Sequence, residues 1–218
     1  MSKNNPEQKT YLDYLDKSYL EELNYKIWST KGARFNANER LISLSRLSNL
    51  CISLLNSYLI GIGLLSVYSI YNSNVLNENT LAYSVTCLSI ILLVFSQLEN
   101  AKNMSKQAKD FHNCALELSQ LYNKLRIFKT LKSEQTENDK INFAEKIASQ
   151  YEQILQKHEN HDAIDHELFK SFKRKYHKLN ILEATLIKLK YYFKTAFLYH
   201  LLIIAPPILL FWLIRKPI

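Results

Sequence analysis

Three uncharged stretches limit what this chain can fold into. No Asp, Glu, Lys or Arg stands between Arg46 and Glu78, none between Glu78 and Glu99, and none between Lys194 and Arg215. A bilayer core of about 30 Å takes roughly 20 apolar residues in a helix. Leu47–Tyr71, Leu81–Leu98 (extendable to Thr80) and Thr195–Ile214 reach or approach that length. The mean hydropathy of −0.19 averages these runs with segments dense in Lys, Glu, Asn and Gln. The expectation is an all-α membrane protein. Residues 1–46 form a basic approach helix, 47–98 a transmembrane hairpin (47–71 and 80–98), 99–194 a cytosolic helical bundle, and 195–214 a third transmembrane segment. The polar residues ahead of the first run, with no apolar core in Met1–Leu20, do not read as a signal peptide.

Lys and Arg set the orientation. Residues 1–46 carry 8, the loop Asn72–Asn79 none, and residues 99–194 carry 18. Cytoplasmic segments hold the excess, so the N-terminus and the middle segment are expected on the cytoplasmic side of the membrane. "NSNVLNEN" would then be a short external turn.

With Gly at 3 positions and Pro at 4, little interrupts a helix. Ala33, Ala37, Leu41 and Leu44 make one apolar stripe and Trp28, Phe35 and Ile42 another, so the approach helix should pack between neighbours. After the hairpin, Phe111, Ala115, Leu118, Tyr122, Leu125 and Phe128 keep helical spacing. "KSEQTENDK" (Lys132–Lys140) is a break, after which Ile141, Ala144, Ile147, Tyr151 and Leu155 resume it. Leu179, Leu182, Leu186, Leu189 and Phe193 alternate three and four residues apart, a coiled-coil seam that runs toward the third membrane segment.

Candidate chemistry is sparse. His158, His161, Asp162, Asp165 and His166 are close in sequence but lack any metal-ligand spacing, and read as a solvated interval, with a metal site or a pH-sensitive contact as alternatives. The chain has no phosphate-cradling glycine loop and no nucleophile motif, so neither an enzyme nor a cofactor or metal is expected. Cys51, Cys87 and Cys114 read as buried small hydrophobes. The patch Lys170, Lys173, Arg174, Lys175 and Lys178 suits a solvated face near anionic lipid or, alternatively, a nucleic-acid or nucleotide contact.

The membrane runs carry polar stripes. Asn49, Ser53, Asn56, Ser57 and Gly63 share about a third of one helix's circumference at ~100° per residue, and Thr86, Ser89 and Ser96 make a weaker stripe on the next. Such residues are costly against lipid. They serve either as helix–helix packing contacts or as the lining of a conduction path. Pro206 and Pro207 predict a kink in the third run.

"WSTKGARFNANERL", the hairpin after it, and "AKDFHNCALELSQLYNKL" together resemble a SLATT-type domain, a two-transmembrane effector family of bacterial conflict and antiphage systems. The resemblance covers about residues 15–193, and the third membrane run resembles a subgroup of that family. Trp28, Lys31, Arg34, Arg40, Phe111 and His112 would be its signature. Because Arg34 lies on the side of Ala37 and Leu41, it calls for a partner, with Asp110 or Glu117 the candidates. The resemblance implies a homo-oligomeric pore that depolarises the inner membrane in abortive infection. It also implies a partner sensor such as a reverse transcriptase or a nucleotide-signal enzyme. The alternative is a non-conducting membrane scaffold that recruits a partner through its cytosolic helices.

Overall fold

A computed structural model describes residues 17–67, 78–131 and 135–215. Most of the expected external turn therefore lies outside the described residues, as does Lys132–Glu134 of the polar break. The described residues are mostly helical and include no strand. Its elements are α1 (Tyr19–Val67), α2 (Glu78–Ala101), α3 (Met104–Leu131), α4 (Glu137–Lys157), α5 (Ala163–Phe172), α6 (Ile181–Thr195) and α7 (Phe197–Arg215). The approach segment and the first apolar run are one helix, since nothing between Tyr19 and Val67 breaks it.

The helices divide between two compact units. One takes the chain through Ala37 together with Asp110–Lys170; the other takes Asn38–Lys109 with Ser171–Ile218.

In the first unit the core gathers Leu23 and Ile27 of α1, Cys114, Leu118, Leu121 and Leu125 of α3, and Ile147, Tyr151 and Ile154 of α4. Each set steps by three or four along its helix, so each helix buries one face. Phe128 and Phe143 stack at 3.7 Å between ring centres. Burial pushes the Cys114 thiol up to about 11, which leaves it an inert packing group. Where "KSEQTENDK" continues into the described residues, Thr136 caps α4. Its hydroxyl accepts the Asp139 amide at 3.2 Å, and the Asp139 carboxylate accepts the Thr136 amide at 3.1 Å. Removing such a cap costs about 1 kcal/mol. Thr136→Ala is accordingly expected to lower the stability of the full chain by that amount in equilibrium unfolding, with the helix content of the folded state unchanged.

In the second unit, α2 ends at Ala101 and α3 starts at Met104, with Asn103 between them in the left-handed region at φ 48°. Asn tolerates that conformation better than most residues. Ahead of the coiled-coil seam, α5 ends at Phe172, turns occupy 173–178, and Asn180 caps α6; the seam is interrupted at its other end, before the third apolar run. Helix α6 stops at Thr195, and Ala196 separates it from α7.

Candidate membrane site and its supports

Among the described residues, two segments are apolar and long enough to cross a membrane, Tyr19–Leu64 of α1 and Ala82–Leu131, which runs from α2 into α3, and only 11% of the most apolar window of each is buried within the chain. A soluble core helix would be mostly covered, so these surfaces call for another apolar environment. Phe197–Ile208 is a shorter apolar helix.

On α1 the polar stripe faces outward. Asn49, Ser53, Asn56 and Ser57 are all exposed, and Gly63 is half-buried. Ser53 donates to the Asn49 carbonyl at 2.9 Å, Asn56 to that of Ile52 at 3.0 Å, and Ser57 to that of Ser53 at 2.9 Å. On α2, Thr86 and Ser89 are exposed and Ser96 is half-buried. Thr86 donates to the Ala82 carbonyl at 2.9 Å, Ser89 to Val85 at 2.8 Å, and Ser96 to Leu93 at 2.9 Å. These donors are met within their own helices, so the stripe survives apolar surroundings while presenting its oxygens sideways.

Glu99, at the end of the second uncharged run, is the residue the sequence reading passed over. Its carboxylate is buried. One oxygen accepts the Ser48 hydroxyl at 3.0 Å and the Tyr199 hydroxyl at 2.7 Å, and the other pairs with the Lys102 ammonium. A single charge thus joins α1, α2 and α7. A cleft of about 340 Å³ opens beside it, lined by Ser45, Ser48, Asn49, Asn100 and Asn103 among others. The signal in the sequence was a carboxylate directly after an apolar run, together with a tyrosine inside another.

The paired prolines lie inside α7. Pro207 has no N–H to offer the carbonyl four residues back, which is that of Ile203. The Tyr58 hydroxyl of α1 donates to this carbonyl at 3.3 Å. Tyr58→Phe is therefore expected to destabilise the chain by about 0.6 kcal/mol, the usual worth of a hydrogen bond between membrane helices. In a Pro207→Ala background, where the backbone N–H returns, the same substitution should cost nothing. A double-mutant cycle on unfolding of the full chain in lipid nanodiscs measures the coupling.

The first unit holds the other singled-out residues. Trp28 packs edge-on to Phe169 at 4.8 Å, Lys31 lies 4.3 Å above the Tyr122 ring, and Phe35 meets His112 at 5.9 Å. Phe169 in turn lies against Gly32, where a Cβ would come within 2.2 Å of the ring. Arg34 is 0% exposed, over the Phe111 ring at 5.3 Å. Neither expected carboxylate hydrogen-bonds the guanidinium, which donates to Asn160 Oδ1 at 3.4 Å, while Asp110 acts on it only through space. Asp110 and Glu117 instead take the two nitrogens of His158, at 2.8 Å and 3.2 Å. The His158 side chain is 8% exposed, so this end of the histidine interval is a packed contact and not a solvated linker. Arg40, in the second unit, is half-buried.

The basic residues do not share one helix face. Lys170 closes α5, whereas Lys173, Arg174, Lys175 and Lys178 fall in the turns beyond it. The seam positions Leu182, Leu186, Leu189 and Phe193 of α6 are all exposed, while Ala184 of the same helix is buried.

Compared with known families, residues 16–213 match the model of the SMODS and SLOG-associating 2TM effector domain family 5. The chain belongs to this SLATT family. No curated protein and no solved structure shows significant similarity to it. The match takes in both apolar helices and nearly all of α7. Membership and the two apolar helices point to a membrane location, and the family points to an effector role in conflict systems.

Proposed function

We propose that this SLATT chain is a pore-forming effector of an antiphage system that depolarises the bacterial inner membrane. The carrying observation is the outward stripe of Asn49, Ser53, Asn56 and Ser57 on a helix otherwise suited to lipid. Polar side chains at that depth normally face a bundle interior or water. One chain has too few membrane helices to enclose a channel, so conduction requires several copies, with α1 toward the axis. The exposed leucines of α6 supply a seam through which copies can assemble.

The Lys and Arg distribution favours a cytoplasmic N-terminus and middle segment. From there the helices can receive a signal from a partner sensor, such as a reverse transcriptase or a nucleotide-signal enzyme. Such a signal opens the pore only by binding the open state more tightly than the closed one. No catalytic chemistry and no cofactor is assigned to the chain.

The second reading, a non-conducting scaffold, draws on the self-satisfied hydroxyls of Ser53, Ser57, Thr86 and Ser89, which suit helix packing equally. Dye-reported membrane potential separates the two. Cells carrying the intact system should depolarise on phage challenge only when this chain is present. Protection without depolarisation, with the protein in the inner membrane, would favour the scaffold and turn attention to the basic residues after α5.

A further inference from the structure

Three neighbouring side chains of the first unit bury nitrogens that meet no acceptor. Arg34 Nη2 donates to Asn160 Oδ1 at a long 3.4 Å, but Nε and Nη1 have no hydrogen-bond partner. His161 Nδ1 and His166 Nε2 are likewise buried and unpartnered. The two imidazoles stand perpendicular with centres 6.3 Å apart. Burial, the Arg34 charge and His166 lower the His161 pKa to about 4, so it is neutral near pH 7 and its Nδ1 can carry the proton. Burial lowers that of His166 as well.

Native proteins leave few buried polar groups unsatisfied, and a guanidinium offers donors only. What is missing beside these groups is a set of acceptors. We propose that Arg34, His161 and His166 form a binding site for a small phosphate-class oxyanion beneath the α4–α5 connection. A tetrahedral oxyanion presents several oxygens to the fork of an arginine and to two imidazole N–H groups at once. A metal ion is a poor occupant, because it would have to sit beside the guanidinium.

The carboxylates nearby shape the choice of anion. Asp110 and Asp165 interact with Arg34 through space but do not bond Nε or Nη1. Asp110 is engaged by His158, and the Asp165 backbone carbonyl accepts Asn36. Their charge leaves room for a free phosphate or a phosphomonoester and disfavours a polyphosphate. Asn160 is exposed, so the guanidinium lies one side chain below the surface. Such binding does not depend on the proposed conduction path.

The test is equilibrium dialysis of radiolabelled inorganic phosphate against the full chain in neutral-lipid nanodiscs, at constant ionic strength. Saturable uptake near one phosphate per chain is expected in the natural protein. Arg34→Met, which keeps a long side chain without the orphaned donors, should weaken it at least tenfold. His161→Phe with His166→Phe keeps Arg34 and should weaken it several-fold, which covers the case in which the arginine variant fails to fold. Competition by glycerol phosphate at equal or lower concentration would identify the ligand as an ester, and competition by free phosphate alone would identify the free ion. No saturable uptake by the natural chain, or equal uptake by both folded variants, would overturn the proposal and leave the nitrogens to ordered water.

Discussion

Cells expressing a chain with Asn49→Leu and Asn56→Leu are expected to keep their membrane potential under conditions in which the natural chain collapses it. The two asparagines are seven residues apart, so at ~100° per residue they project from nearly the same side of α1. Both are exposed. Leucine has a helix propensity at least as good as asparagine's and inserts readily into a bilayer. The double variant should therefore reach the membrane and fold at least as well as the parent. Lost depolarisation would then reflect the lost polar stripe and not lost protein. Depolarisation retained at equal membrane abundance would count heavily against α1 as the lining.

The second large effect is one of stability and carries an unusual sign. In an ordinary helix Gly→Ala stabilises by about 1 kcal/mol, and Gly32 sits inside α1. The added methyl at this position would come within 2.2 Å of the Phe169 ring. That ring is buried and held edge-on by Trp28 at 4.8 Å, so it has little freedom to swing aside. Overpacking of this kind costs about 1–3 kcal/mol, enough to cancel the propensity gain and exceed it. Gly32→Ala should lower the unfolding midpoint of the full chain, and adding Phe169→Leu should restore much of the loss. A raised midpoint for Gly32→Ala alone would mean that the ring moves freely and that the close approach is not a packing constraint.

Helix positions were legible in the sequence because they rest on local periodicity. The stripe of Ala33, Ala37 and Leu41 is buried as its spacing implies, and so are most of the α3 stripe and Ala144, Ile147 and Tyr151 of α4, although Ile141 at the start of the α4 stripe is exposed. What spacing does not reveal is which partner a side chain meets. Arg34 was correctly placed on an inward face, yet Asp110 and Glu117 went to His158, because the α4–α5 connection brings in an imidazole that no pattern within α1 or α3 foretells. Phe169 against Gly32 is equally non-local. Glu99 was hidden for a related reason: counted as the end of an uncharged run, it gave no hint that a tyrosine one hundred positions later would bond it. The α6 seam shows the converse, since its periodicity is readable and its leucines are nevertheless largely exposed among the described residues.

The prolines of α7 have a further mechanical meaning. Tyr199 is fastened to Glu99 of α2 and the Ile203 carbonyl to Tyr58 of α1, and these fixings are four residues apart, about 6 Å along a helix axis. A rod pinned at one point can swivel, whereas a rod pinned at two heights to two different neighbours cannot turn about its own axis without releasing at least one of them. The third segment therefore has no graded rotation available to it. Its accessible movement is to unlatch, and a proline that leaves a carbonyl free for a neighbour's hydroxyl makes that step a discrete one.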